Sequence, residues 1–91
     1  MSGSDVNVSY VTATGTVASG RRRLCGIHYH SGGSTGKIVL KDGGASGTTI
    51  ATLDFHANST GDLNFPDEGI LFGTDIHATY TSITSATFFY K

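Results

Sequence analysis

Hydrophobic and polar residues alternate along most of the chain, and glycine-bearing turns interrupt the alternating runs. A period of two residues is typical of β-strands that bury one face. No run of about ten residues follows the period of an α-helix. The apolar positions that share a face within each segment are Val6/Val8/Tyr10, Cys25/Ile27/Tyr29, Ile38/Leu40, Ala51/Leu53/Phe55, Leu63/Phe65, Ile70/Phe72, Ile76/Ala78/Tyr80 and Phe88/Tyr90. The pattern predicts seven or eight short strands.

The spacing of these strands predicts the architecture. Turn signals that recur every 8–12 residues or so are typical of a small β-sandwich or barrel. We therefore expect an all-β fold, a small antiparallel β-sandwich or barrel that is jelly-roll-like. The strands within residues 23–56 are predicted to form a three-stranded meander, with hairpin turns at 31–36 and 43–47. Residues 1–20 are predicted to be an N-terminal arm or first strand that docks to neighbours, and residues 21–91 a single β-sandwich domain.

Composition narrows the classes of function. The chain has 91 residues, a formal net charge of −1 and only 14% charged residues. Nucleic-acid-binding domains normally carry a basic excess, so no nucleic-acid partner is expected. No apolar run approaches the roughly 20 residues of a membrane span, and the first residues do not resemble a secretory signal. We expect a protein that is made in a cytoplasm and does not contact a membrane.

The short chain has few means of stabilising itself. A domain of this size removes only about 60% of its unfolded surface from water. With Cys25 as the single cysteine, no disulfide can form within the chain. Oligomerisation is the remaining device, and we expect a homotrimer.

The segment His28–Ile38, HYHSGGSTGKI, resembles a phosphate-binding P-loop but departs from it. The P-loop pattern is GxxxxGK[S/T] at the start of a helix. Gly36 and Lys37 match, whereas Ser31 replaces the first glycine and Ile38 the final hydroxyl residue. A β-branched strand follows instead of a helix. The glycines are therefore interpreted as a hairpin turn, and we expect neither a nucleotide site nor an enzyme.

Histidine, arginine and aromatic residues supply the candidate binding groups. His28 and His30 lie two residues apart on one strand face, which would make half of a metal site or simply a polar face. No third ligand is placed by spacing, so we expect no metal and no cofactor. In a trimer, one of these histidines could instead meet its own copies in a pH-sensitive contact. The run Arg21–Arg23 is either a solvated strand start or a docking patch for acidic groups. The predicted interface residues are Arg21, Arg22, Arg23, His28, His30, Phe88, Phe89 and Tyr90.

Four motifs carry a resemblance to a known family. They are Arg23–Leu24–Cys25–Gly26–Ile27, Asp42–Gly43–Gly44–Ala45–Ser46–Gly47, Pro66–Asp67–Glu68–Gly69–Ile70–Leu71–Phe72, and Phe89–Tyr90. In this order they resemble a family of short β proteins encoded by tailed bacteriophages, marine ones among them. The similarity spans nearly the whole chain after about residue 20. Its motifs consist of turn glycines and core aliphatic residues, which specify a fold better than a role.

The resemblance implies a virion structural protein without catalytic residues. The favoured expectation is a capsid decoration or cement protein that binds the major capsid protein on the outer shell and stabilises it. The alternative is a tail or fibre knob, adaptor or receptor-binding module, whose surface Tyr and His side chains would contact a glycan or protein of the host. Aromatic residues confined to strands favour the decoration protein, whereas aromatic residues at loop tips favour the receptor-binding module.

Overall fold

Nine β-strands make up the part of the chain that the structure describes. The computed structural model describes residues 6–65 and 69–91, and contains no helix within them that could span a membrane. The strands are β1 (Asn7–Val11), β2 (Gly15–Ser19), β3 (Arg22–Ser31), β4 (Gly36–Asp42), β5 (Thr48–Phe55), β6 (Thr60–Asn64), β7 (Ile70–Phe72), β8 (Asp75–Thr81) and β9 (Ile83–Tyr90). The predicted all-β class is confirmed. The proline that opens the third motif lies outside the described residues.

The strands form two antiparallel sheets that pack into a sandwich. Sheet A has the order β1-β9-β3-β6, with the short β7 also paired to β3. Sheet B has the order β2-β8-β4-β5. This is the strand order of a jelly roll with β7 added. The predicted antiparallel sandwich is therefore confirmed. The described residues form nine strands, whereas the sequence predicted seven or eight.

The sheets arise from one long ribbon that wraps around itself. The first half of the chain pairs with the second half in reverse order: β1 with β9, β2 with β8, β3 with β7 and β6, and β4 with β5. The loop between β4 and β5 is the apex of this ribbon. Wrapping then brings β9 against β3 and β8 against β4, which closes the two sheets.

The predicted three-stranded meander is wrong. β3 belongs to sheet A and β4 to sheet B, so the loop 32–35 crosses between sheets and is not a hairpin turn. Gly32 bonds instead to two distant turns: its N–H donates to the Ser82 carbonyl, between β8 and β9, at 2.7 Å, and its own carbonyl accepts from the Asn58 N–H, between β5 and β6, at 2.8 Å. Turn glycines indicate a reversal but do not say which sheet the chain enters next. The hairpin predicted at 43–47 is present, with Gly43 and Gly44 at positive φ.

The proposed boundary at residue 21 does not divide the structure. β1 lies in sheet A and β2 in sheet B, so both are integral strands of the sandwich. Two side-chain hydrogen bonds, in addition to the pairing with β9, hold β1 on the sandwich. The Tyr80 hydroxyl donates to the Val11 carbonyl at 2.9 Å, and the hydroxyls of Ser9 and Tyr90 share a bond of 2.9 Å. Burial raises the pKa of the Tyr80 phenol, as expected for a hydroxyl held between the sheets. Each described strand from residue 7 onward therefore belongs to the sandwich.

The core lies between the two sheets. Its fully buried large side chains are Leu24, Ile27, Phe72 and Phe88 from sheet A, and Ile38, Leu40 and Ile76 from sheet B. In β3 a bulge separates Leu24 from Gly26 in the pairing with β9. A bulge inserts one residue and shifts the alternation. Leu24 and Ile27 therefore both reach the core, and the half-buried Cys25 does not share the face of Ile27 in the way that simple alternation predicts.

Two carboxylates clasp the apex loop to the turn between β7 and β8. The Asp42 side chain accepts backbone N–H groups from Gly73, Thr74 and Asp75 at 2.7–3.3 Å. The Asp75 carboxylate in turn accepts hydrogen bonds from the N–H groups of Gly43 and Gly44 in the apex loop, at 2.9 and 3.1 Å. The hydrogen bond from Thr74, followed by that from Gly73, holds the pKa of Asp42 below its usual 3.8. These hydrogen bonds therefore favour the ionised form of the Asp42 carboxyl.

Replacing Asp42 should test the clasp. A carboxyl with a depressed pKa in the folded state stabilises the fold above its unfolded pKa, and this contribution is lost as the pH falls through the folded pKa. Asp42→Asn should lower the melting temperature at about pH 7, and should reduce the difference in melting temperature between about pH 7 and about pH 3. Circular dichroism at the two pH values measures both effects.

Asp54→Asn is the matched control, because the Asp54 carboxylate is exposed and bonds to no other described side chain or amide. Its melting temperature should follow that of the unaltered chain at both pH values. An Asp42→Asn protein with an unchanged melting curve would show that the clasp contributes nothing to stability.

Candidate functional site

The outer face of sheet A presents three rows of side chains that run across its strands. In the first row Val8 faces Phe89, and Phe89 faces Gly26. The second row is Tyr10, Thr87, His28 and Asp62, and the third is Ser85, His30 and Thr60. The face is therefore apolar at the β1 edge and polar at the β6 edge.

The apolar end of this face arises because β1 inverts the usual alternation. Val8 is 58% exposed and Tyr10 is 68% exposed, while Ser9 points inward opposite the buried Phe88. Val6 lies on the same exposed face as Val8. We call the set Val6, Val8, Tyr10 and Phe89 the β1 patch. The sequence predicted that Val6, Val8 and Tyr10 share one face. They do share a face, but it is exposed to solvent and does not face the core.

Gly26, beside Phe89, lets β6 come close to β3. A Cβ at Gly26 would lie 2.9 Å from the Leu63 carbonyl oxygen, which is too close, and 3.9 Å from Cδ2 of Phe89, which is an ordinary van der Waals contact. The bare glycine therefore makes room for β6. Gly26→Ala would push β6 away from β3 and leave the Phe89 ring in place.

The predicted arginine cluster borders the β1 patch. Arg21 is exposed, and the Arg22 guanidinium lies 5.4 Å from the centre of the Tyr90 ring while its Nε donates to the Ser19 carbonyl at 3.0 Å. The backbones of Arg23 and Lys91 exchange two hydrogen bonds at the end of β9. These positive side chains therefore stand at the same end of sheet A as the patch.

The C-terminal aromatic residues divide between core and surface. Phe88 is fully buried and Tyr90 nearly so, whereas Phe89 is half-buried on the outer face. Of the three aromatic residues predicted at an interface, only Phe89 lies where a partner could contact it. The reason is the pleat, which points alternate residues of β9 to opposite faces.

His28 and His30 share the outer face of sheet A, as their spacing predicts. Nδ1 of His28 lies 2.5 Å from Oδ1 of Asp62, and Nδ1 of His30 lies 2.8 Å from the Thr60 hydroxyl. Each histidine is thus engaged with the neighbouring strand β6. In the described part of the chain no three His, Cys, Asp or Glu side chains are grouped to hold a metal ion.

A second feature is a pocket of about 260 Å³ on the β5–β6 side of the sandwich. Its lining residues are Tyr29, Thr35, Asp54, Phe55, His56 and Ser59. The rings of Tyr29 and Phe55 form its aromatic part, with centroids 4.1 Å apart and planes inclined by 34°. Gly61, opposite Tyr29 on β6, leaves the room that this ring occupies, because a Cβ there would lie 2.8 Å from the phenol oxygen.

The wall of the pocket is held by a buried serine. The Ser31 side chain is fully buried; its Oγ donates to the His56 carbonyl at 2.6 Å and accepts the Ser59 N–H at 2.8 Å. The backbone of Ser31 adds a bond to the Ser59 carbonyl at 2.8 Å. Asn58, the tip of this turn, adopts positive φ. The turn 56–59 is therefore fixed against the end of β3.

Sequence reasoning missed this pocket. Tyr29 and Phe55 were correctly predicted as strand residues, but their ring contact joins different sheets and leaves no local sequence signal. Thr35 enters the pocket only because the loop 32–35 crosses between sheets. An available hint was the sequence Asp54-Phe55-His56, in which two ionisable side chains flank an aromatic residue at the end of a strand.

Comparison with protein-family models, with curated proteins and with solved structures found no match to this chain. The family resemblance of the motifs therefore remains an expectation from the sequence. The functional argument rests on the β1 patch and on the pocket.

Ser31→Ala should show how much the buried anchor contributes. The substitution leaves the Ser59 N–H and the His56 carbonyl, both partly buried, without their hydroxyl partner, which costs roughly 1 kcal/mol of the free energy of unfolding. Urea unfolding followed by circular dichroism should show a lower midpoint with an unchanged slope. Ser34→Ala, at an exposed position in the neighbouring loop, should leave the midpoint unchanged. Equal midpoints for the two variants would contradict the anchoring role.

Proposed function

We propose that the protein is a virion structural protein of a tailed bacteriophage, which decorates the outer capsid surface and docks through the β1 patch. The observation that carries the proposal is the inverted alternation of β1. Val8 and Tyr10 face solvent while Ser9 faces the core. For a chain on its own this arrangement leaves apolar surface in water, and burying a large apolar side chain contributes about 1.5–3 kcal/mol. A partner that covers the outer face recovers this contribution.

The composition of the patch suits a protein partner. Exposed Tyr, Phe and Arg side chains are enriched where proteins bind each other, and they supply much of the binding free energy. The neighbouring arginines favour a partner with carboxylates beside an apolar groove, since a guanidinium pairs with a carboxylate through two parallel hydrogen bonds. The partner that we propose is the major capsid protein.

A homotrimer is the docking unit that we propose. A single patch on one 91-residue chain offers a small contact area. Three linked copies placed where capsid subunits meet would engage three equivalent sites at once. The second and third contacts then form at a high effective concentration, which strengthens attachment without new kinds of contact.

Substitutions in the β1 patch should weaken docking without unfolding the protein. Val8→Thr combined with Tyr10→Thr keeps residues that favour strands and removes the exposed apolar surface. We expect binding to particles that lack the protein to weaken at least tenfold, equivalent to about 1.4 kcal/mol per docked chain. Co-sedimentation of the purified variant with such particles measures the change.

The control is Ile50→Thr, which removes an exposed apolar side chain from β5, in the other sheet. The Ile50→Thr protein should bind particles as well as the unaltered chain does. Both this variant and the Val8→Thr/Tyr10→Thr variant should have the melting temperature of the unaltered chain. Undiminished binding of the Val8→Thr/Tyr10→Thr variant would overturn the docking surface.

Cryo-electron microscopy of the parent particle should locate the chain. We expect nine-stranded density at three-fold or quasi-three-fold positions of the capsid, with β1 toward the shell. Density on the tail or fibres would replace the decoration role with that of a tail module. A particle without such density would overturn a virion role altogether.

A further inference from the structure

We propose that the pocket between β5 and β6 is a saccharide site that accepts one sugar ring. The proposal does not depend on the capsid role, because it uses neither the β1 patch nor a capsid partner. It rests on three properties of the pocket, which are its aromatic part, its rim of polar groups that have no partner among the described residues, and its fixed wall.

The aromatic part suits the apolar face of a sugar. A pyranose ring presents a face of C–H groups, and these pack on the face of an aromatic ring. Tyr29 and Phe55 come together from opposite sheets, and half-buried Tyr29 presents part of its ring to the pocket. A pocket of about 260 Å³ is just below the range of roughly 300–1,000 Å³ that holds drug-sized ligands. The size therefore fits one ring and not an oligosaccharide.

The polar rim suits the hydroxyl groups of a sugar. Its groups are the hydroxyls of Tyr29, Thr35 and Ser59, the carboxylate of Asp54 and the imidazole of His56. None of these side-chain groups bonds to another residue within 6–65 or 69–91. Hydroxyls and a neutral imidazole both donate and accept hydrogen bonds, and a carboxylate accepts them. Sugar hydroxyls require that mixture, because each donates one hydrogen bond and accepts others.

The charges around the pocket favour a neutral ligand over a cation. Asp54 is the carboxylate of the rim, and its partner across the β4–β5 ladder is Lys37. Directly opposite charges on neighbouring strands offset each other's fields. The positive charge of Lys37 on the neighbouring strand weakens the attraction of Asp54 for an ammonium or guanidinium ligand, whereas a sugar hydroxyl bonds to the carboxylate with no such penalty.

The fixed wall lowers the cost of binding. The Ser31 bonds hold the turn 56–59 in place before a ligand arrives. Ordering a loop or side chain at a binding site otherwise reduces affinity. The pocket also lies at the opposite side of sheet A from the β1 patch, since β1 and β6 are its two ends.

Nuclear magnetic resonance of the full ¹⁵N-labelled chain tests the proposal. The neutral probes are D-glucose, D-galactose, N-acetyl-D-glucosamine and L-rhamnose, and the charged probes are tetramethylammonium and inorganic phosphate. We expect at least one sugar to shift the amide signals of Thr35, Phe55, His56 and Ser59, with a dissociation constant on the order of 1 mM. Tetramethylammonium and phosphate should leave those signals unchanged.

Two variants tie the binding to named groups. Asp54→Asn and Tyr29→Phe each remove one polar group and keep the shape of the side chain, and each should weaken sugar binding at least fivefold. Asp62→Asn, an exposed carboxylate on sheet A, is the matched control and should bind like the unaltered chain. Melting temperatures should confirm that all three variants fold.

Three results would overturn the saccharide site. The first is the absence of shifts with every sugar. The second is a response to tetramethylammonium or phosphate alone, which would assign the pocket to an ion. The third is sugar binding that neither Asp54→Asn nor Tyr29→Phe weakens, which would place the sugar elsewhere on the molecule.

Discussion

The pairing of β9 with both β1 and β3 is the contact on which the rest of the structure depends. This strand brings the last residues of the chain between the first strand and the third, and its inward aromatic residues, Phe88 and Tyr90, fill the centre of sheet A. Nearly every other strand pair also joins distant parts of the chain. Loop closure must therefore precede most of the gain from burial. The sandwich is expected to form as one cooperative unit, without a stable fragment.

The same wrapping decides where binding groups can lie. A jelly roll leaves two strand edges on each side of the sandwich, and the two candidate sites occupy opposite sides. On one side β1 ends sheet A with its apolar side chains outward. On the other, the ends of β3 and β5 meet across the sheets and leave the pocket between Tyr29 and Phe55. The two proposed sites, a docking edge and a binding pocket, therefore use opposite edges of one fold of 91 residues.

The sequence predicts the local structure better than the long-range structure. The period of two correctly places Ile38 and Leu40, and also Ile76 and Ala78, on core faces, because these strands are regular and central. It fails at Cys25, where a bulge shifts the phase, since a bulge depends on the partner strand. The meander and the pocket were missed for a related reason. Both depend on the loop 32–35 changing sheets, and glycine-rich loops of this kind also serve as hairpins.

The register of β1 is the strongest reason to look for a partner. A slip of one residue would turn Val8 and Tyr10 inward and Ser9 and Val11 outward. The slip would expose the half-buried Val11 and bury Val8 and Tyr10. The net increase in buried apolar surface would contribute about 1.5–3 kcal/mol to stability. Opposing it are the bonds from Ser9 to Tyr90 and from Tyr80 to Val11, each contributing about 1 kcal/mol. For the isolated chain the two registers are closely balanced. An apolar partner on the outer face of sheet A would favour the observed register alone, so the docking that we propose would stabilise the folding of β1 and be stabilised by it.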